Sequence, residues 1–336
     1  MKPFYELVQR AQKAPKHIVM AEGEDVRVIE GAVRAVNEGI ATVTLLGNKD
    51  KIAESLKLYE YENGQIQLVD PLNSKFVPGF VQELVNLRKH KGMTEEKARE
   101  EIKKPQNFAN LMVRMGFADG SVAGAQLTTA DVVRSAIQII GIDKRYAMIS
   151  SFFIMMLCEP FHDMKGALIF ADCGLVVDPN EEELSQIGIA AADSAKSLLH
   201  LDPRIAMLSF STKGSAVHPH VEKVNHAAER IKALRPDLPV DGDLQLDASI
   251  VPSVSQSKAP GSDVAGHANV LIFPDLEAGN IGYKMAERIG KAHAIGPVLQ
   301  GLARPANDLS RGCDAAAVYR MIAVTVAQAN AQLLSK

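Results

Sequence analysis

Short apolar runs alternate along this chain with stretches whose apolar residues recur every three or four positions. Phe4, Leu7, Val8 and Ala11 share one face of a helix within residues 1–16. His17-Ile18-Val19-Met20 then reads as a small buried strand. Val26, Ile29, Val33 and Val36 recur at helical spacing up to Gly39, and Ala41-Thr42-Val43-Thr44-Leu45-Leu46-Gly47 reads as the next strand. Strand, helix and strand at this spacing make a βαβ unit, which implies a parallel sheet.

Residues 60–75 are polar and show no period. A helix follows around Val81 to Leu87 and breaks at Gly92. Thr94 caps another that stops near Pro105, and a further helix runs from about Asn107 to Gly116. Ser121-Val122-Ala123-Gly124 reads as a short strand, and Thr128 and Thr129 cap a helix with Val133, Ala136, Ile137 and Ile140 on its core face. The alternation restarts near residue 145. Ile149 to Leu157, Ala167 to Ala171, Ile205 to Ser209 and Asn269 to Phe273 read as strands. Helices begin at Asn180 and near His218, and another carries Ile281, Met285 and Ile289. After Gly296-Pro297 the chain predicts a last strand and a long helix with Val318, Ile322, Val326 and Ala329 in phase.

A chain of 336 residues, 47% of them hydrophobic, can bury large cores and predicts two domains rather than one. A net charge of −3 gives no electrostatic case for nucleic acid or an anionic membrane, so an anionic ligand must be met by local arginines. No apolar run reaches membrane-spanning length, and the first residues do not resemble a secretory leader. Cys158, Cys173 and Cys313 are odd in number and far apart, as expected of reduced thiols in a cytoplasmic protein. No Cys/His cluster has metal-ligand spacing, so no metal is expected. The loop after the first strand lacks G-x-G-x-x-G, which removes the dinucleotide fingerprint. Its acidic run Glu22-Gly23-Glu24-Asp25 reads as a solvated loop.

Two stretches suit an anion. Ser310 and Arg311 stand just before the long helix, with Asp314 as its N-cap, where backbone N–H groups and the positive end of the helix dipole point outward. From spacing alone, a plain turn with a solvated arginine fits equally well. Arg134 lies about one and a half turns into the helix capped by Thr128 and Thr129, a second such arrangement. Cys313, near a helix start, raises the prospect of a nucleophilic thiol. It reads instead as a small structural residue.

Asn307-Asp308-Leu309-Ser310-Arg311-Gly312-Cys313 resembles the signature of the phosphate acetyltransferases (phosphotransacetylases) of the phosphate acetyl/butyryl transferase family. So do Val270-Leu271-Ile272-Phe273-Pro274-Asp275 with Gly279-Asn280-Ile281-Gly282-Tyr283-Lys284, Thr128-Thr129-Ala130-Asp131-Val132-Val133-Arg134, and Met207 to Ala216. The resemblance spans the chain in the family's order. It implies two three-layer α/β domains like those of the isocitrate and isopropylmalate dehydrogenases, with an interdomain cleft. The first would be discontinuous, residues 1–145 with 297–336, and would carry most of the active site; the second would be 146–296.

The implied reaction is the reversible transfer of acetyl between coenzyme A and inorganic phosphate, by direct thiol attack in a ternary complex. Coenzyme A, acetyl-CoA, phosphate and acetyl phosphate would be substrates, with no bound cofactor, and a homodimer is implied. Arg311, Arg134 and Arg88 would meet the phosphate-bearing groups, Ser310 would stabilise the oxyanion, and Thr128 and Thr129 would border the substrate. The family places an aspartate six residues after the arginine of Ser-Arg-Gly. This chain has Ala317 there, and Asp314, one turn earlier, is the expected substitute base. A propionyl- or butyryltransferase is one alternative. Another is an acyl-CoA-binding regulatory module like that appended to some malic enzymes. A nicotinamide-dependent decarboxylating dehydrogenase shares the fold, but its metal-binding aspartates and lysine-tyrosine pair have no counterpart here.

Overall fold

A computed structural model describes residues 2–334. In chain order its elements are α1 (Lys2–Lys13), β1 (Lys16–Met20), α2 (Val26–Asn37), β2 (Ala41–Leu46), α3 (Lys49–Leu56), β3 (Ile66–Val69), α4 (Val77–Arg88), α5 (Glu95–Ile102), α6 (Pro105–Arg114), β4 (Gly120–Ala123) and α7 (Thr129–Ile139). Next come β5 (Ser150–Leu157), β6 (Gly166–Ala171), α8 (Glu181–Leu199), β7 (Ile205–Leu208), α9 (Pro219–Leu234), β8 (Val240–Leu244), α10 (Leu246–Ile250) and α11 (Pro252–Lys258). The chain ends with β9 (Val270–Ile272), α12 (Leu276–Arg288), β10 (His293–Gln300), β11 (Ala306–Asp308) and α13 (Ala315–Leu334). The described residues form two compact units, 6–143 with 302–334 and 2–5 with 144–301. The fold is α/β, as the alternation predicts.

The first unit is built on a parallel sheet of order β11-β4-β1-β2-β3. Consecutive residues of β4 show how it is covered, because neighbours on a strand point to opposite faces. A Cβ on Gly120 would lie 2.5 Å from Thr325 Cγ2, so α13 crosses that face at the distance only a glycine permits. Ser121 points the other way: its hydroxyl donates to Asn110 Oδ1 on α6 at 2.8 Å, and Asn110 Nδ2 donates to Ser135 Oγ on α7 at 2.8 Å. Helix α2 packs on α13 at Gly31, where a Cβ would meet Val318 at 2.7 Å. The unit is therefore a three-layer sandwich with α2 and α13 on one side of the sheet and α6 and α7 on the other. Because β1, β4 and β11 are parallel neighbours, the loops leaving their carboxyl ends emerge side by side. In open α/β sheets, ligands bind at such strand ends.

The second unit holds a mixed sheet, β10-β5-β6-β9-β7-β8, in which β5 runs antiparallel to both β6 and β10. Strand β5 is buried almost throughout, which explains its unbroken apolar run. The segment 297–300 is part of β10 and pairs with β5. Helix α8 opens with a full capping box between Asn180 and Glu183.

Two features depart from the sequence pattern. Residues 60–75 are not wholly irregular: Ile66–Val69 forms β3, an edge strand with no fully buried position, so it lacks the apolar alternation that marks an inner strand. On α12 and its C-cap, Ile281, Met285 and Ile289 are 59%, 56% and 76% exposed, so this periodic stripe faces outward instead of into the core of its unit. Among the described residues, no helix is long and apolar enough to cross a membrane.

Candidate functional site

Three strand-end loops of the first unit converge through side chains near β1. Glu22, just past β1, accepts the backbone N–H groups of Ala125 and Gln126 at 2.8 Å and of Leu127 at 2.9 Å, shaping the loop between β4 and α7. Asp25 caps α2 through the Arg27 N–H at 2.9 Å. It also receives the Arg27 guanidinium at 2.7 Å on Oδ2 and 3.0 Å on Oδ1. That guanidinium holds the Asp25 carboxyl down to about 2. The acidic loop is thus not simply solvated. Glu22 and Asp25 are committed to neighbouring backbone and to Arg27, and Glu24 binds Asn48 N–H and Lys51.

Arg27 spends the rest of its donors on the other loops. Nη1 donates to the carbonyls of Arg311 at 2.8 Å and Cys313 at 3.1 Å, and Nη2 donates to the Ala125 carbonyl at 2.9 Å. A guanidinium has five N–H donors in a fixed planar fork, and all five are used. Arg27 therefore ties the loop after β4 and the loop after β11 to the start of α2. Nothing in the sequence singles it out, because a lone arginine in the first turn of an amphipathic helix reads as solvated.

Among the predicted residues, Ser310 and Arg311 are exposed on the tight turn between β11 and α13. Ser310 Oγ accepts the Gly312 N–H at 3.3 Å, and the Ser310 carbonyl accepts the Cys313 N–H at 2.9 Å. The Arg311 backbone is pinned by Arg27, while among the described residues its guanidinium takes part in no ion pair. Asp314 is the N-cap of α13, its Oδ1 accepting the Ala317 N–H at 2.7 Å. Asp314→Ala should therefore cost about 0.5–2 kcal/mol of stability, measured by thermal or denaturant unfolding. Asp314→Asn should cost far less, because an amide oxygen also accepts the bond.

The two threonines divide their roles. Thr128 caps α7 through the Asp131 N–H at 3.2 Å. Thr129 does not cap: its Oγ1 donates to Asp308 Oδ2 at 2.6 Å. Arg134 is exposed and pairs with Asp131 at 2.9 Å, an exposed contact that a stronger anion can displace. Arg88 ends α4, which packs on α5 and α6, and among the described residues no hydrogen bond or ion pair joins its side chain to the 308–314 segment.

Nothing in the sequence singles out Asp308, which sits inside the signature as one more turn-forming acid. It is fully buried, and removal from water pushes its carboxyl up to about 7, with Thr129 pulling down and Glu22 adding to the rise. Burial likewise pushes the Cys313 thiol up, with Arg27 opposing, so the fold does not prepare this thiol as a nucleophile. A groove of about 430 Å³ lined by Glu83, Arg114, Ile140 and Arg304 lies at the far end of α7 from Thr129 and touches none of the predicted residues. In the second unit, Cys158, Glu159 and His293 come within 4.8 Å of one another, a grouping that their spacing along the chain hides. Glu159 and His293 already pair at 3.1 Å.

A family model described as phosphate acetyl/butaryl transferase matches residues 3–326. The chain is 46% identical over 329 residues to a phosphate acetyltransferase of Thermoanaerobacterium thermosaccharolyticum, covering 98% of this chain and all of that relative. It is 47% identical to a phosphate acetyltransferase of Acetivibrio thermocellus, over 96% of this chain and 97% of the relative. Among solved structures, a phosphotransacetylase from Streptococcus pyogenes superposes with a TM-score of 0.91 at 40% identity, covering 98% of both chains.

Proposed function

This chain belongs to the phosphate acetyl/butaryl transferase family, and from that premise we propose that it transfers acetyl reversibly between coenzyme A and inorganic phosphate. The observation that carries the reading is the match to relatives named phosphate acetyltransferase along nearly the whole of both chains. No observation favours a longer acyl chain or a regulatory, non-catalytic module. Coenzyme A enters as a substrate.

The reaction needs cations for phosphate, a donor for the oxyanion and an acceptor for the thiol proton. In this reading Arg311 meets a phosphate-bearing group, supported by its exposure just before α13, where the helix dipole adds to its charge. Ser310 Oγ, on the same turn, is the oxyanion donor of this reading, a role worth about 2.7–4 kcal/mol in transition-state binding where such donors have been deleted. Arg134 binds a second phosphate by exchanging Asp131 for it, and Arg88 supplies a further charge. Thr128 and Thr129 border the acyl and thiol groups. Asp314, whose Oδ1 holds the cap, is one candidate for the proton acceptor. The thiol attacks the acetyl carbonyl directly, with no acyl-enzyme.

The two-domain, dehydrogenase-like organisation and a cytoplasmic homodimer belong to the same proposal. The exposed stripe on α12 supports a protein contact, since apolar surface of this kind marks interaction sites. The purified protein is expected to form acetyl-CoA from acetyl phosphate and coenzyme A with neither metal nor nicotinamide added. An absence of thioester at high protein concentration, or strict dependence on a nicotinamide, would overturn the reading.

A further inference from the structure

We propose that Asp308 and Thr129 form a proton relay, in which the Thr129 hydroxyl takes the thiol proton of coenzyme A while passing its own proton to Asp308. The inference rests on the acetyl-transfer reading above and assigns the proton step of that reaction.

The geometry differs from that of a structural carboxylate. Asp172, buried in the second unit, is surrounded by donors: its oxygens accept from Ser151 N–H at 2.7 Å, Ser151 Oγ at 2.6 Å, Gly174 N–H at 2.8 Å and Leu175 N–H at 2.9 Å. Asp308 is just as buried, at 0% exposure, yet among the described residues its carboxylate receives a single hydrogen bond, from Thr129 Oγ1 at 2.6 Å, and its Oδ1 has no partner there. A buried polar oxygen left unpaired costs stability, so a role beyond packing is called for. Gly124 and the backbone of Leu309 wall it in: a Cβ on Gly124 would fall 2.2 Å from Oδ1. Asp308 therefore cannot touch a substrate. Thr129 can, being half-buried on the first turn of α7, beside the loops that carry Ser310 and Arg311. Asp308 is thus a positioning residue that acts through Thr129.

In the acetyl-CoA-forming direction, the thiol sulfur bonds to the acetyl carbon and the carbon–oxygen bond to phosphate breaks, the phosphate leaving with the electron pair. The thiol proton moves to Thr129 Oγ and the hydroxyl proton of Thr129 to Asp308 Oδ2. The same hydroxyl returns a proton from Asp308 to the departing phosphate, so that each turnover ends where it began. Asp314 is the weaker acceptor, because it divides its carboxylate between a helix cap and solvent.

The surrounding charges suit a group that changes protonation. On the loop after β1, Glu22 faces Asp308 and adds to its upward shift. Helix α7 carries Asp131 and Arg134, which pair with each other; β4 carries no charge; α13 carries Arg320; and the loop after β11 carries Arg311 and Asp314. The carboxyl sits at about 7, which places its change of state within the working range of a general base.

The test is the pH profile of kcat for acetyl-CoA formation by the wild type, Asp308→Asn, Thr129→Val, Thr129→Ser and Asp314→Asn. Asp308→Asn and Thr129→Val are each expected to lower kcat by about a hundredfold, within the span of general base catalysis, with KM for coenzyme A changed by less than about threefold. Both should lose the rise in kcat near pH 7. Thr129→Ser, which keeps the hydroxyl, should stay within about fivefold of wild type and keep that rise. If Asp308→Asn does not fold, Thr129→Val and Thr129→Ser carry the test alone. Wild-type kcat and an unchanged pH profile in Thr129→Val would overturn the relay, as would loss of the pH 7 rise in Asp314→Asn alone. A wild type that forms no thioester at any pH would instead bring down the acetyl-transfer reading itself.

Discussion

Arg27→Ala is expected to lower kcat/KM for acetyl-CoA formation by about a hundredfold while leaving a folded protein. The guanidinium places one donor on each of the Arg311, Cys313 and Ala125 carbonyls, and its remaining two on Asp25. Hydrogen bonds from a charged donor contribute about 1.5–3 kcal/mol each. Losing the two that hold the 311–313 turn, with partial recovery by water, leaves about 3 kcal/mol, or roughly two decades in rate. The loss acts on position, since Arg27 holds the turn that carries Ser310 and Arg311, the residues proposed to meet the substrate. Misplacement by about 1 Å is enough for a hundredfold effect. Arg27→Lys should not restore the activity, because an ammonium has three donors at one point and cannot reach five acceptors laid out for a planar fork. The α2 cap survives both changes, because it uses the Arg27 backbone N–H. Steady-state kinetics with a thermal melt of each variant decide the matter. Wild-type kcat/KM in Arg27→Ala would show that the turn is held by other contacts.

Gly124→Ala should be the more damaging to the fold. Gly124 has φ +105°, a conformation that an L side chain rarely adopts. A Cβ there would lie 2.2 Å from Asp308 Oδ1, 2.6 Å from the Leu309 carbonyl and 2.7 Å from its nitrogen. Two of these atoms are backbone and the third is a buried carboxylate, so no flexible side-chain end can swing away. The adjacent bond, Leu309 N–H to the Ala123 carbonyl at 2.7 Å, must stretch as β11 is pushed from β4. Backbone strain of about 1–3 kcal/mol plus the displacement of a paired strand puts the total at roughly 3–5 kcal/mol. A unit of this size should then melt about 10 °C lower, with activity lost because Asp308 and the Ser310 turn move together. A melting point within about 2 °C of wild type would show that β11 can shift at little cost.

Much of the fold is legible in the residues because it depends on local period. The run from Lys16 to Leu46 announces strand, helix and strand by the spacing of its apolar side chains. Asn180 and Thr128 mark helix starts because their side chains bond to N–H groups only two or three residues on. The stretch Ile66 to Val69 escaped because an edge strand buries little and so leaves no alternation. The stripe on α12 misleads for the converse reason: helical spacing reports a shared face and does not say what lies opposite it.

The site divides in the same way. By itself the sequence determined the alternating α/β pattern and the family, and it left Ser310, Arg311 and Asp314 open between an anion-suited helix start and a plain turn. These are properties of contiguous stretches, set by backbone geometry over one or two turns. Only the tertiary structure decided that Arg27 holds the carbonyls of Arg311 and Cys313 across 284 and 286 residues, that Glu22 shapes the loop at 125–127, and that Thr129 bonds Asp308 across 179 residues. Each of these pairs meets because β1, β4 and β11 are parallel neighbours whose ends open on the same side. The order of strands in a sheet arises from long-range pairing and packing, which leaves no period in the chain. The burial that shifts the Asp308 carboxyl has the same origin: it is a property of the walls around the residue, and those walls include Gly124 and Thr129, far away along the chain.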